Sequence, residues 1–229
     1  MKTFKALSAL LSYPEADLIA ALPEIDAVLH AEGLLGPKRM EEIGQLLREL
    51  RDGDLYDLQE RYVLLFDRSR TLSLNLFEHV HGESRDRGGA MVDLLETYRA
   101  HGFDLAGTEL PDHLPVLLEY LSTRPLAEAQ AMLADAGHIL VALSERLLRR
   151  ETRYAAVLTA LAGLAATEPA DLPAALAEIP DDDPEDLAAL DAVWAEAQVT
   201  FGPDPNAGCP VSRDILARMD APRAPATAS

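Results

Sequence analysis

The chain has 229 residues, enough for one sizeable core, with 20 Lys and Arg against 39 Asp and Glu and a formal net charge of −19. That balance disfavours nucleic acid, whose phosphates need a basic footprint to displace their counterions, and it favours a basic partner. Cys209 is the only cysteine, so neither an intramolecular disulfide nor a cysteine-based zinc cage can form, and a reducing compartment fits.

Leu and Ala dominate, aromatics make up 5%, and β-branched residues are sparse, which predicts an all-α protein. The opening MKTFKALSALLSYPEADL places Lys2 and Lys5 before a short apolar run that Pro14 and Glu15 break, and no small-residue cleavage pattern follows. No apolar run approaches the ~20 residues of a membrane span, so the expected location is the cytoplasm. Asp54 reads as the N-cap of a helix whose apolar face is Leu55, Leu58, Tyr62, Leu65 and Phe66. Ser84 reads as the cap of the next, with Met91, Leu94, Leu95 and Tyr98 in line until Gly102 stops it. Asp112 reads as the cap of a third, with Leu114, Leu117, Leu118 and Leu121 facing inward and Pro115 in the first turn. From Pro125 a long helix is predicted. Ala129, Leu133, Ala136, Leu140, Leu143 and Leu147 keep nearly a 3.5-residue period along it, which suits antiparallel packing in a bundle. Asp183 and Pro184 open the last predicted helix, with Leu187, Leu190, Trp194 and Ala197 on one face. Residues 1–201 are expected to form one helical domain and 202–229, rich in Pro and Ala, a partly disordered tail. From Glu168 onward thirteen acids stand against Arg213, Arg218 and Arg223, a run that also reads as a solvated face.

The densest chemistry lies in LFEHVHGESRDRGGAMVDL, residues 76–94. A metal site would use His79, His81 and Glu83. In a strand the two histidines share a face, but on a helix they sit about 200° apart and cannot chelate one ion. Arg85 and Arg87 would repel a cation, and no HExxH motif exists. GxSxG, Walker and GxGxxG motifs are also missing, which argues against an enzyme. A metal-dependent enzyme built on those three residues, and a generic acidic adaptor for a basic protein, are the alternative readings.

RYVLLFDRSRTLSLNLFEHVHGESRDRGGAMVDL (61–94), ELPDHLPVLLEYL (109–121), the opening LSALLSYP, and the late VWAEAQVTFG with Cys209-Pro210 together resemble the NarJ subgroup of the redox-enzyme maturation chaperones, within the wider TorD and DmsD type. The resemblance implies a single all-helical domain that is not an enzyme and holds no cofactor of its own. Such chaperones bind the apo catalytic subunit of respiratory nitrate reductase through a basic, amphipathic N-terminal segment. They keep it competent for molybdenum cofactor insertion and membrane assembly. The family's aromatic-Leu-Phe helix corresponds to Tyr62, Leu65 and Phe66. Its acidic-proline-Asp-His loop corresponds to Glu109, Pro111, Asp112 and His113, leading to Glu119 and Tyr120, although Leu110 stands before Pro111 where the wider family more often has Glu. The resemblance therefore implies a partner surface of Tyr62, Phe66, Phe77, His79, His81, Glu83, Arg85, Asp112, His113, Glu119 and Tyr120 on a chain read as a monomer. Apolar residues near Phe77 and Tyr62 would form its groove, Glu83, Asp112 and Glu119 would meet the basic face, and His79 and His81 would weaken binding when protonated below about pH 6.5.

Overall fold

The structure, a computed structural model, describes residues 1–81 and 85–166. Phe4, Leu7, Leu10 and Leu11 recur at helical spacing and are fully buried, which fixes α1 (Lys2–Leu10) as a core element. Pro14 separates it from α2 (Ala16–Glu32), whose last turn folds back so that Glu32 accepts hydrogen bonds from the backbone N–H groups of Lys2 and Thr3 and from the Thr3 hydroxyl, at 2.7–2.8 Å. A carboxylate 29 and 30 residues away thus does for α1 what a local N-cap does elsewhere. α3 (Pro37–Asp52) opens on a proline, which costs nothing in the first turn, and buries Ile43, Leu46, Leu47 and Leu50.

Asp54 caps α4 (Leu55–Tyr62) as the sequence predicts, accepting from Tyr56 N–H at 2.9 Å. The helix then widens into a π-turn at Val63–Asp67, where Arg68 N–H reaches Val63 O, and a 3₁₀ turn follows at Arg70–Leu72. That second turn is held from below by Arg146, 1% exposed, which donates to Thr71 O at 2.8 Å. α5 (Leu76–His81) and α6 (Arg85–Ala100) come next. Gly102, with φ of +73°, ends α6 as expected: Gly102 N–H bonds to Arg99 O, Phe103 N–H to Tyr98 O, and the Phe103 ring packs on Tyr98 at 5.6 Å.

Two expectations need correction. Asp112 does not cap its own helix: α7 (Leu114–Ser122) begins at His113 with no side-chain cap. The Asp112 carboxylate, wholly buried, turns the other way and accepts from Phe77 N–H at 2.9 Å, capping α5 across 35 residues. The chain reversal that allows this is one antiparallel bridge, Asn75 against His113, with Leu114 N–H on Leu74 O and Leu76 N–H on Asp112 O. The long helix from Pro125 is two helices, α8 (Leu126–Asp135) and α9 (Gly137–Arg149), bent by 70° at Ala136. The predicted apolar positions still face inward, with Ala129, Leu133, Leu140, Leu143 and Leu147 buried; the seam follows the bend instead of running straight.

α10 (Ala155–Leu164) packs along α9 and is apolar on nearly every side, as a helix at the centre of a bundle must be. α1 lies along α7, tied by Ser8, whose hydroxyl donates to Pro115 O at 2.7 Å. Among the described residues there are no strands, and no single helix is long and apolar enough to cross a membrane. The expected helix after Asp183 and the tail lie outside the described residues, as does the Ser84 cap.

Candidate functional site

Where α1, the π-turn and the start of α7 meet, a cleft of about 530 Å³ opens to solvent. That volume falls within the range of ligand pockets. Ala9, Pro115 and Val116 line it together with Tyr13 and Tyr62, and its polar groups are Lys5, Ser8, Ser12, Asp67, Glu109, His113 and Glu119. Each arrives there for a local reason. Lys5, Ser8, Ala9 and Ser12 recur at three and four residues, so they share one face of α1 and of the turn after it. The π-turn adds a residue to the helical repeat after Tyr62, and Asp67 at its end faces the cleft while Phe66 is buried. The Asn75–His113 bridge fixes His113 at the head of α7, one turn before Val116 and two before Glu119.

Tyr62 is the floor. It is 5% exposed, its hydroxyl donates to Leu11 O at 2.8 Å, and its ring sits among Tyr13, Phe66 and Tyr154 at centroid distances of 4.9–6.1 Å. Burial, with the nearby Tyr154, Asp67 and Glu109, pushes its phenol well above the ordinary range, so the group stays neutral. Burial also raises the Asp67 carboxyl, against the opposing pull of His113. His113 donates from Nδ1 to Asn75 Oδ1 at 3.2 Å, and burial outweighs the surrounding Glu109, Asp112 and Asp67 to lower its pKa. The imidazole is therefore neutral at pH 7. Among the described residues Lys5 is the only full cation on the wall, 3.5 Å from Glu119, and the three carboxylates outnumber it.

Of the residues expected at a partner surface, Tyr62, His113 and Glu119 come together in this cleft. Phe66 is a core residue stacked on Tyr62 and Tyr154. Tyr120 is 2% exposed in a second aromatic cluster with Tyr98 and Phe103, its hydroxyl against His101 Nδ1 at 2.9 Å. Phe77 and His79 lie on α5, outside the cleft. The cleft runs between Tyr62 and α7, and Phe77 is not among its lining residues. His79 is not a groove imidazole: Nε2–H donates to Ser73 O at 2.8 Å, and burial lowers its pKa, with Arg146 acting in the same direction. The backbone of α5 is helical through positions 79 and 81, which stand about 200° apart around its axis. Among the described residues no three His, Cys, Asp or Glu side chains gather as a metal site would require. Glu83 and the side chains of His81 and Arg85 lie outside what the structure describes.

Asp67, Lys5, Ser8, Ser12 and Tyr13 join the site without having been singled out in the sequence. Asp67 directly follows the Tyr62–Phe66 helix, but its direction depends on a π-turn that no residue pattern announces. The α1 residues could have been found by reading LSALLSYP as a helix with a small, polar stripe.

The chain is similar to known proteins over most of its length. A family profile described as nitrate reductase delta subunit matches residues 35–160. The nitrate reductase molybdenum cofactor assembly chaperone NarJ of Escherichia coli strain K12 is 47% identical over 203 residues, covering 88% of this chain and 86% of that protein. The probable nitrate reductase molybdenum cofactor assembly chaperone NarW of the same organism is 37% identical over 91% of this chain and 87% of its own length. A probable NarJ of Bacillus subtilis is 32% identical over 72% and 88%.

Proposed function

The chain belongs to the nitrate reductase delta subunit family, and from that premise we propose that it is an assembly chaperone that acts in the cytoplasm on the apo catalytic subunit of a nitrate reductase, gripping the basic, amphipathic N-terminal segment of that subunit in the cleft between α1 and α7. It holds the subunit competent for molybdenum cofactor insertion and for assembly at the membrane. The cofactor is cargo for the partner, and the chaperone itself performs no catalysis.

One observation supports this reading above the others: a tyrosine-floored cleft of mixed apolar and polar lining, rimmed by three carboxylates and one lysine, on a chain of net charge −19. An amphipathic helix fits such a groove by laying its apolar face on Tyr13, Tyr62, Pro115 and Val116 while its basic face meets Asp67, Glu109 and Glu119. Magnitudes divide the work. A fully buried Leu or Phe anchor contributes roughly 1.5–3 kcal/mol, whereas each exposed charge pair adds about 0.2–1 kcal/mol. Apolar anchors therefore set the affinity, and the carboxylates set the orientation and speed of encounter.

Co-purification tests the reading. The tagged chaperone should retain the full-length apo catalytic subunit and lose it when the N-terminal segment of that subunit is deleted. Equal retention of both forms would contradict the proposal.

A further inference from the structure

His113 stands in the cleft wall with one ring nitrogen tied and the other open. Nδ1 lies 3.2 Å from Asn75 Oδ1, whereas Nε2 has no hydrogen-bond partner among the described residues and is not buried. Which nitrogen carries the proton decides whether the open one donates or accepts. The answer comes from outside the cleft, along a line of three side chains, none of which lines it. Arg87 of α6 donates from Nη2 to Glu78 Oε1 at 3.1 Å, and Asn75 Nδ2 donates to the same oxygen at 3.4 Å. The Ser73 hydroxyl also donates to the Glu78 carboxylate, while accepting from Asn75 N–H at 3.2 Å. Burial works against the charge on Glu78, but these hydrogen bonds and the Arg87 guanidinium prevail and hold its pKa below the usual carboxylate range.

An ionised carboxylate only accepts. Glu78 therefore draws the amino end of the Asn75 amide, which turns the carbonyl end to His113. That carbonyl also only accepts, so the imidazole proton sits on Nδ1 and a lone pair is left on Nε2. Building on the reading of the cleft as a peptide site, we infer that Asn75, held by Glu78 and Arg87, is a positioning residue: it fixes the His113 tautomer so that Nε2 accepts a hydrogen bond from a cationic side chain of the incoming segment. Free imidazole in water favours the opposite form, with the proton on Nε2, which would set a donor against that cation. Charge on the cleft rim attracts a cationic group from any side, whereas a lone pair in the ring plane accepts it from one direction.

Imidazole ¹⁵N spectra of the full chain at about pH 8, where a histidine is neutral, test this, with the His113 signals identified by their loss in His113→Gln. The wild type should show a protonated Nδ1 and a bare Nε2. A synthetic peptide, the N-terminal segment of the catalytic subunit, should shift the Nε2 resonance as that nitrogen takes up a hydrogen bond. Asn75→Ala, with fold verified by circular dichroism, should move the proton largely to Nε2 and weaken the peptide about tenfold by calorimetry, the weight of one hydrogen bond to a charged group. Asn75 is not among the residues lining the cleft, so lost contact with the peptide does not account for such a change. Glu78→Gln puts a second amide opposite Asn75 and frees both to turn over, so it should mix the two tautomers and lose affinity in proportion; it carries the test if Asn75→Ala does not fold. A wild-type imidazole protonated on Nε2, a tautomer unchanged in both variants, or a changed tautomer with affinity within about twofold of the wild type overturns the inference and leaves the cleft as the peptide site. A peptide that does not bind the folded wild type at all overturns both.

Discussion

Asp112 is a buried carboxylate that serves a helix other than the one it precedes. Oδ2 accepts from Phe77 N–H, while Oδ1 is buried with no hydrogen-bond partner among the described residues, and burial raises the carboxyl pKa. Two substitutions separate the cap from the charge. Asp112→Ala removes the acceptor for a part-buried N–H at the start of α5, so a urea melt at pH 7 should show a loss of about 0.5–2 kcal/mol. Asp112→Asn keeps an acceptor for Phe77 and removes the buried charge, so it should cost far less, and an equal loss in both variants would show that the charge is the stabilising part. His79 and His113 give the residue scale its pH dependence. Burial lowers both below the ordinary value of about 6.5, so below that pH the unfolded chain takes up protons that the folded chain refuses. Stability should be flat from pH 8 to 7 and fall as the pH drops below about 6.5. His79→Gln, which can still donate to Ser73 O, should flatten part of that fall; an unchanged slope in the variant would contradict the assignment.

Elements were legible where their signals were local. Asp54 before Leu55 and Gly102 after α6 both act within a few residues of where they stand, and both do what their chemistry predicts. Elements that depend on distant partners were not legible. Asp112 looked like a local cap because a helix follows it, but its side chain is claimed by α5 across the Asn75–His113 bridge. Glu32, at the end of α2, gave no sign that it closes the first turn of α1. The 70° bend at Ala136 was hidden for a related reason: the apolar period runs through it unbroken, since both halves bury their stripe in the same core. The distant cap carries its own prediction. Glu32→Ala should cost about 0.5–2 kcal/mol, the ordinary weight of an N-cap, with hydrogen exchange at Lys2 and Thr3 accelerated first. Unchanged exchange there would mean that α1 is held by its packing against α7 alone.

At the scale of the molecule, the charge of −19 and the acidic rim of the cleft would act together on the cationic partner proposed above. The acidic character and the family resemblance were legible in the sequence, and three of the residues singled out there, Tyr62, His113 and Glu119, line one cleft. The position of that site between α1 and α7 needed the fold, because residues near 10, 67, 110 and 116 meet only after the chain has crossed itself. Long-range attraction is screened within about 10 Å at 0.1 M salt, so association of the basic peptide should slow steeply between 50 and 500 mM salt, on the order of tenfold or more, while dissociation, set by apolar anchors, changes little. Stopped-flow rates that do not depend on salt would remove charge from the account. The central claim is that the peptide lies between α1 and α7, and amide chemical-shift mapping tests it most directly: the chain labelled with ¹⁵N is titrated with the N-terminal peptide of the catalytic subunit. Shifts should concentrate at Lys5, Ala9, Ser12, Tyr13, Asp67, Glu109, His113 and Val116. Saturable binding that leaves these amides unmoved and shifts those of the α2–α3 face instead would contradict the account.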